Sequence, residues 1–348
     1  MYNYFCIEET ALTAERKIRR TSLRDVAQSC HLSVPTVSQI LNNRASNFSS
    51  EETRRLVRET AERLGYQPNL GYKLMRGIST KTVALIIGHA SVKDFEYIRK
   101  FIFLILERLS SEGYSVYIET MPNNWSKRHD IMLNLIQRGA EHFISIGKPC
   151  EWEDLDLLEQ QTGITIMTFA SLHRNAVNVN IEKGVSLLLE HCLEKGCKKI
   201  RAVLPYDKDR LKALSKVLKL NEEEVKSIIC HHETPITDSP EQQLEEDMAL
   251  GYEKTKELFE KEPDTDAVLY LSDYFAIGGA NYLRESGRII GKDVRLLAFN
   301  NTLAVQAYPY PISSVSHNLN AVVDCIMKNF TKRDSGIFSI DPIPHFRD

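Results

Sequence analysis

From Lys81 onward, short apolar runs alternate with longer stretches of helical spacing, and this alternation restricts the fold more than any other feature. "TVALIIG" is followed by a helical stretch from about Phe95 to Glu112, "YSVYIET" by one from about Lys127 to Arg138, and "EHFISIG" by one from about Asp154 to Gln161, before "ITIMTFA". A second series runs through "KKIRAVL", "EVKSIIC", "DAVLYLS" and "DVRLLAF", separated by helices near 208–219, 243–260 and 273–286. Strands buried on both faces and joined by helices form parallel sheets with right-handed crossovers. Two series in tandem predict two doubly wound lobes with a ligand-binding cleft between them.

The segment before Lys81 has a different rhythm. "TSLRDVAQSC" offers Ser22 or Thr21 as an N-cap, with Leu23, Val26 and Ala27 at helical spacing. "SVPTVSQILNN" offers Ser33 as the next N-cap and puts Val37, Ile40 and Leu41 on one face; "SSEETRRLVRETAERLGY" predicts a third helix that ends at Gly65. The link around Cys30-His31-Leu32 is short enough for a helix-turn-helix. If Val37, Ile40 and Leu41 pack inward, then Val34, Pro35, Thr36, Ser38 and Gln39 face outward, where a second molecule can touch them. A small helical packing module fits these residues as well.

Charge separates the same two regions. The whole chain carries −3, yet 13 basic against six acidic residues between 15 and 81 give that segment +7 and leave −10 for the rest. A basic head on an acidic body is the asymmetry expected when only one part meets phosphate.

Several classes of function find no support. The seven cysteines are widely spaced without a Cys-x-x-Cys pair, which reads as reduced thiols, and the adjacent His231 and His232 read as residues of a polar loop. No metal and no cofactor is implied. "IGGA" at 277–280 falls inside a helix and reads as close helix packing rather than a phosphate loop, and no Gly-x-Ser-x-Gly or Cys/His nucleophile stands in a suitable turn. The first 20 residues lack an apolar signal core and form an extension with a basic end, "AERKIRR". No apolar run is long enough for a membrane span, so a cytoplasmic, nucleoid-associated protein is expected.

"TSLRDVAQSCHLSVPTVSQILNN" followed by "SSEETRRLVRETAERLGYQPN" resembles the DNA-binding headpiece of the lactose/galactose repressor (LacI/GalR) family in the order and spacing of its motifs. The resemblance continues through "DAVLYLSDYFAIGGANYLRESGRIIGKDVRLLAFNN" to the closing "IPHFRD". It implies a helix-turn-helix headpiece over 21–67, a hinge over 68–80, and a two-lobed periplasmic-binding-protein-like core over 81–348. The N-lobe is expected at about 81–177 and 316–330, and the C-lobe at about 180–312 and 331–348.

By the same resemblance, Val34, Pro35 and Gln39 take base-reading positions, with Thr36, Ser38, Arg24, Arg44, Arg54 and Arg55 against the DNA backbone. The hinge segment "PNLGYKLM" departs from the family pattern Pro-Asn-x-x-Ala-Arg-x-Leu, so Tyr72, Lys73 and Met75 take the minor-groove positions. Gly71 and Tyr72 predict a hinge that orders weakly or holds its paired helices apart. Effector contacts are implied for Asp273, which also suits the start of a helix, and for Arg210, Phe95 and His89. Asn180, Asn300 and Asn301 stand where acids are common in relatives and keep hydrogen-bonding capacity without charge. The expected partners are a double-stranded DNA operator, a second copy in a homodimer, and a small-molecule effector such as a sugar or related metabolite. A solute-binding protein with the same core, not acting on DNA, is the alternative.

Overall fold

The computed structural model describes residues 21–42, 49–67, 70–75, 77–88, 95–122, 124–205, 208–232 and 240–347. The expected N-terminal extension, with Arg44 and His89, lies outside them. The chain divides into two compact units, Met1–Ser79 and Thr80–Asp348.

Among the described residues the first unit contains the helices α1 (Leu23–Ser29), α2 (Val34–Leu41), α3 (Glu51–Arg63) and α4 (Leu70–Met75). Each of the first three starts on a serine. Ser22 forms a reciprocal capping box with Asp25, Ser33 accepts from the Thr36 amide, and Ser50 accepts from the Thr53 amide. These bonds satisfy amides that a helix start leaves without a partner. His31 takes a left-handed conformation (φ 54°), and the Leu32 amide returns to the Ala27 carbonyl at 3.0 Å, which turns the chain from α1 into α2. Val26, Ala27, Cys30, Val37, Ile40, Val57 and Ala61 form the core of this unit, and Thr21 Oγ1 donates to the Leu64 carbonyl at 2.6 Å.

The hinge is helical over Leu70–Met75. Its end is closed locally. Gly77 adopts φ 59° and the Ile78 amide bonds the Lys73 carbonyl at 2.9 Å, closing the last turn in a conformation that costs glycine little. Tyr72 and Met75 stand on α4, but their side chains lie outside the described residues; Lys73 is half-buried.

The second unit opens with β1 (Thr82–Ile87), α5 (Phe95–Ser111), β2 (Ser115–Thr120), α6 (Trp125–Gln137), β3 (His142–Ile146), α7 (Trp152–Thr162), β4 (Thr165–Phe169) and β5 (Ala176–Val179). The chain then crosses to α8 (Ile181–Glu194), β6 (Ile200–Leu204), α9 (Lys208–Leu218), α10 (Glu222–Ser227), β7 (Ile229–His231), α11 (Pro240–Lys261), β8 (Ala267–Tyr270), α12 (Asp273–Glu285), β9 (Arg295–Phe299), α13 (Leu303–Ala307) and β10 (Ile312–Ser316). It returns through α14 (Leu319–Asn329) and β11 (Ile337–Ile340), and finishes in β12 (Ile343–His345).

Two six-stranded sheets result, ordered β11-β5-β4-β3-β1-β2 and β12-β10-β9-β8-β6-β7. All their pairings are parallel except β12 against β10. These are the two expected doubly wound lobes. In the C-lobe, α11 and α12 pack so closely that a Cβ on Gly278 would lie 1.9 Å from the Met248 carbonyl oxygen, which bears out the reading of "IGGA" as close helix packing.

Two boundaries differ from expectation. Residues 331–348 do not all belong to the C-lobe, because β11 pairs with β5 on the edge of the N-lobe sheet. "EVKSIIC" is only half strand: Asn221 and Glu224 form a reciprocal capping box that keeps Glu222–Ser227 helical, and pairing begins at Ile229. At the crossovers the Asn180 amide bonds Ile340, and the Asn180 and Asn318 side chains both donate to Asp341. The three connections thus form one hydrogen-bonded joint.

Candidate functional site

Helix α2 presents two chemically distinct faces. Val37 and Ile40 are buried and Leu41 half-buried, while Val34, Pro35 and Gln39 are exposed. Pro35 sits in the first turn, where its missing amide costs nothing, and the Ser33 cap fixes how the chain enters. The start of the helix therefore offers two apolar surfaces and one primary amide on a rigid backbone. Thr36 is half-buried and holds Ser33 Oγ at 2.7 Å, and Ser38 receives the Asn42 side-chain amide at 3.4 Å.

The arginines expected to meet phosphate divide. Arg24 is exposed on α1. Arg54 is half-buried, donates to Ser49 Oγ at 3.2 Å and lies 3.6 Å from Glu51. Arg55 shares an outer face of α3 with Glu51, Glu52, Glu59 and Glu62 and pairs with Glu59 at 3.7 Å. Arg58 shares the same face, and the Arg55 side chain remains exposed beside its ion pair.

In the core, a cavity of about 710 Å³ opens along the seam of the two lobes. Its walls come from α5 (Glu96, Tyr97, Arg99, Lys100), the loop after β9 (Asn300, Asn301), the crossover after β10 (His317, Asn318) and β12 (His345). The volume suits a small metabolite. Across the seam both Glu96 carboxylate oxygens accept from the Leu303 amide, at 2.9 and 3.2 Å, so an N-lobe acid holds the start of a C-lobe helix.

Of the residues expected to bind an effector, Asp273 and Arg210 are not among those that line this cavity, and His89 lies outside the described residues. Asp273 is fully buried; its oxygens accept from the Thr302 amide and from Ser314 Oγ, each at 2.6 Å, and Ser272 takes the N-cap position. It ties the loop before α13 to β10. Arg210 lies 4.9 Å from the Phe299 ring and donates to the Leu271 carbonyl at 3.4 Å. Phe95 opens α5, with its side chain outside the described residues.

His317, which sequence reasoning missed, occupies the seam. Its ring stacks on Tyr97 with centroids 3.8 Å apart, and Nε2 lies 2.7 Å from Asn300 Oδ1. Burial, and secondarily the Arg210 charge, push its pKa down to about 3. The unfolded imidazole takes a proton near its usual value of 6.5, so between there and about 3 the unfolded state binds more protons. Stability is therefore lost as pH falls through that window. His142, His173 and His345 shift the same way, so the measurement is a difference: denaturation midpoints for His317→Gln should fall less steeply with acidification than those of the parent. Equal slopes would show that His317 is not held neutral.

Among the described residues, Asp156, Glu159 and His173 are close enough to consider for a metal, but the Arg174 guanidinium bridges the two carboxylates. His232 is buried against the Phe275 ring at 4.8 Å rather than on a polar loop. The described cysteines are free. No described helix is long and apolar enough to cross a membrane.

The family model for bacterial regulatory proteins of the lacI family matches residues 22–69, and that for a periplasmic binding protein-like domain matches residues 189–333. Catabolite control protein A of Staphylococcus epidermidis is 25% identical over 315 residues, covering 89% of this chain and 92% of the relative. HTH-type transcriptional repressor PurR of Actinobacillus pleuropneumoniae is 23% identical over 301 residues, covering 84% and 85%. A solved lac repressor dimer, bound to operator and the anti-inducer ONPF, shares the fold with a TM-score of 0.73 at 18% identity, covering 94% of this chain and 98% of that one.

Proposed function

We propose that the chain is a transcriptional repressor of the lacI type that binds a pseudo-palindromic operator as a homodimer and answers to a small molecule in its core. The observation that carries this is the exposed amide of Gln39 beside Val34 and Pro35, held over a buried face by capped helices. A glutamine amide pairs bidentately with adenine, and the two apolar side chains suit thymine methyl groups. Phosphate contacts by Arg24 set register and affinity without reading sequence. Two-fold symmetry of the protein then demands an inverted repeat.

The effector reading rests on the seam cavity and on the periplasmic binding protein-like match of the core. A solute-binding protein without DNA activity leaves the basic headpiece without a purpose. The protein acts at the nucleoid in the cytoplasm and catalyses no reaction; its named relatives are regulators.

The test is selection of bound duplexes from a random pool at two salt concentrations, with purified full-length protein. An inverted repeat that persists at the higher salt supports the repressor. Binding that vanishes with salt and enriches no shared sequence sinks it, since contacts to phosphate alone weaken steeply as counterions compete.

A further inference from the structure

We propose that Asp156, Glu159 and His173 of the N-lobe bind a divalent transition metal, in competition with the guanidinium of Arg174. The site goes beyond the repressor reading and does not depend on it, and none of its three ligands is among the residues that line the seam cavity.

Placement comes first. Asp156 and Glu159 stand three positions apart on α7 and so share a face, while His173 belongs to the connection from β4 to β5. One candidate ligand atom from each lies within 4.8 Å of the others. Bonds of about 2.0–2.2 Å to a tetrahedral ion put ligand atoms about 3.3 Å apart, and the half-exposed Asp156 side chain can rotate to close the difference. An imidazole beside two carboxylates suits Zn2+ and its neighbours better than Mg2+ or Ca2+, which take oxygen ligands.

The second observation is a pair of unsatisfied atoms. Glu159 is 3% exposed and His173 5%, yet Glu159 Oε1 and His173 Nε2 meet no hydrogen-bond partner among the described residues. Buried polar atoms are almost always paired, so two orphans in one cluster point to something that joins them. The imidazole is also held as a metal ligand is held. Its Nδ1 lies 3.3 Å from the Asn175 carbonyl oxygen and 3.2 Å from the Asn175 amide nitrogen. With the proton on Nδ1 the ring donates to that carbonyl and leaves Nε2 a bare lone pair, the tautomer that binds a metal. Asn175 is itself fixed, because its Oδ1 accepts from the Ser335 amide at 2.9 Å, and the Trp152 ring stacks on His173 with centroids 5.3 Å apart.

Arg174 shows that the cluster calls for a cation. Its guanidinium bridges Asp156 Oδ1 and Glu159 Oε2 but leaves Glu159 Oε1 and His173 Nε2 unpaired. A metal ion neutralises the same carboxylates and gives the imidazole nitrogen a partner as well. The displaced guanidinium is half-exposed and already lies 4.0 Å from Asp334, to which it can turn.

The experiment uses tag-free full-length protein stripped with a chelator. It is titrated with Zn2+, Mg2+ and Ca2+ in a calorimeter, and with Co2+ while tryptophan emission is followed. One Zn2+ should bind per chain, about a hundredfold or more tighter than Mg2+ or Ca2+, and Co2+ should quench emission because Trp152 stacks on a ligand ring. His173→Gln and Asp156→Asn should each weaken Zn2+ by about tenfold or more and lose the quenching. Arg174→Gln should act in the opposite direction and tighten Zn2+ by about fivefold, the worth of one partly exposed ion pair. Should His173→Gln fail to fold, Asp156→Asn decides, since its side chain is half-exposed. No uptake of Zn2+ would leave the two orphan atoms to a buried water and overturn the proposal. Mg2+ binding as tightly as Zn2+ would remove the imidazole from the site. An ion whose affinity Asp156→Asn leaves unchanged sits elsewhere, and weaker binding in Arg174→Gln would show that guanidinium and metal do not compete; either result overturns the site.

Discussion

Replacing Asp273 by Ala is expected to lower the unfolding free energy of the core by about 3–5 kcal/mol, the cost of stranding the partners of a buried, hydrogen-bonded carboxylate. The Thr302 amide and Ser314 Oγ each meet this carboxylate at 2.6 Å, and Asp273 itself is fully buried. Alanine fills none of that space and accepts no hydrogen bond, while burial denies the stranded groups compensation by water. Asp273→Asn should cost less, because the amide oxygen keeps one of the two bonds. Denaturant titration followed by far-ultraviolet circular dichroism measures both variants. The loop from Asn300 to Leu303 forms one wall of the seam cavity, so releasing Thr302 should also blunt any effector response. A role in ligand binding alone predicts the reverse: an unchanged denaturation midpoint with a lost response. The measured midpoint decides between strut and ligand contact.

The second large effect concerns DNA. Gln39→Ala should weaken binding to the selected operator by about 1–3 kcal/mol, roughly fivefold to 150-fold, because one bidentate base contact is lost. Gln39 is exposed, so the headpiece should keep its fold. The dependence of affinity on salt should not change, because an amide releases no counterion from phosphate. Arg24→Ala should do the opposite, weakening all sequences alike and flattening the salt dependence. Fluorescence anisotropy on operator and scrambled duplexes over a salt series separates the two. If Gln39→Ala weakened both duplexes equally, base reading by this residue would be excluded.

The protein holds two kinds of information at very different sequence distances. In the headpiece, each serine cap acts on an amide three residues away, and the apolar face repeats at three and four residues. Such short-range physics is visible in one dimension, so the three helices, the turn at His31 and the inward face of α2 were all legible. The parallel lobes were legible for the same reason, since a strand buried on both faces is a continuous apolar run. Local reading failed where a local signal was overlooked or absent. The Asn221–Glu224 capping box was present within "NEEEVKSIIC" and lost to its apolar tail. "IFSI", by contrast, has alternating exposure, and only the crossover that brings it beside β5 assigns it to the N-lobe.

What the sequence determined by itself, then, is the type of most elements and the outward face of α2, because capping, periodicity and side-chain chemistry act within a few residues. Tertiary structure decided the binding cavity. Glu96 meets Leu303 across 207 positions, and His317 gains its neutral ring from burial and from an arginine more than a hundred positions away. Asp273 shows the same division: its place at the start of α12 is local, but its hydrogen bonds to Thr302 and Ser314 are made across the fold. Burial and charge act through space, and spacing along the chain does not encode which distant residues the fold will bring together.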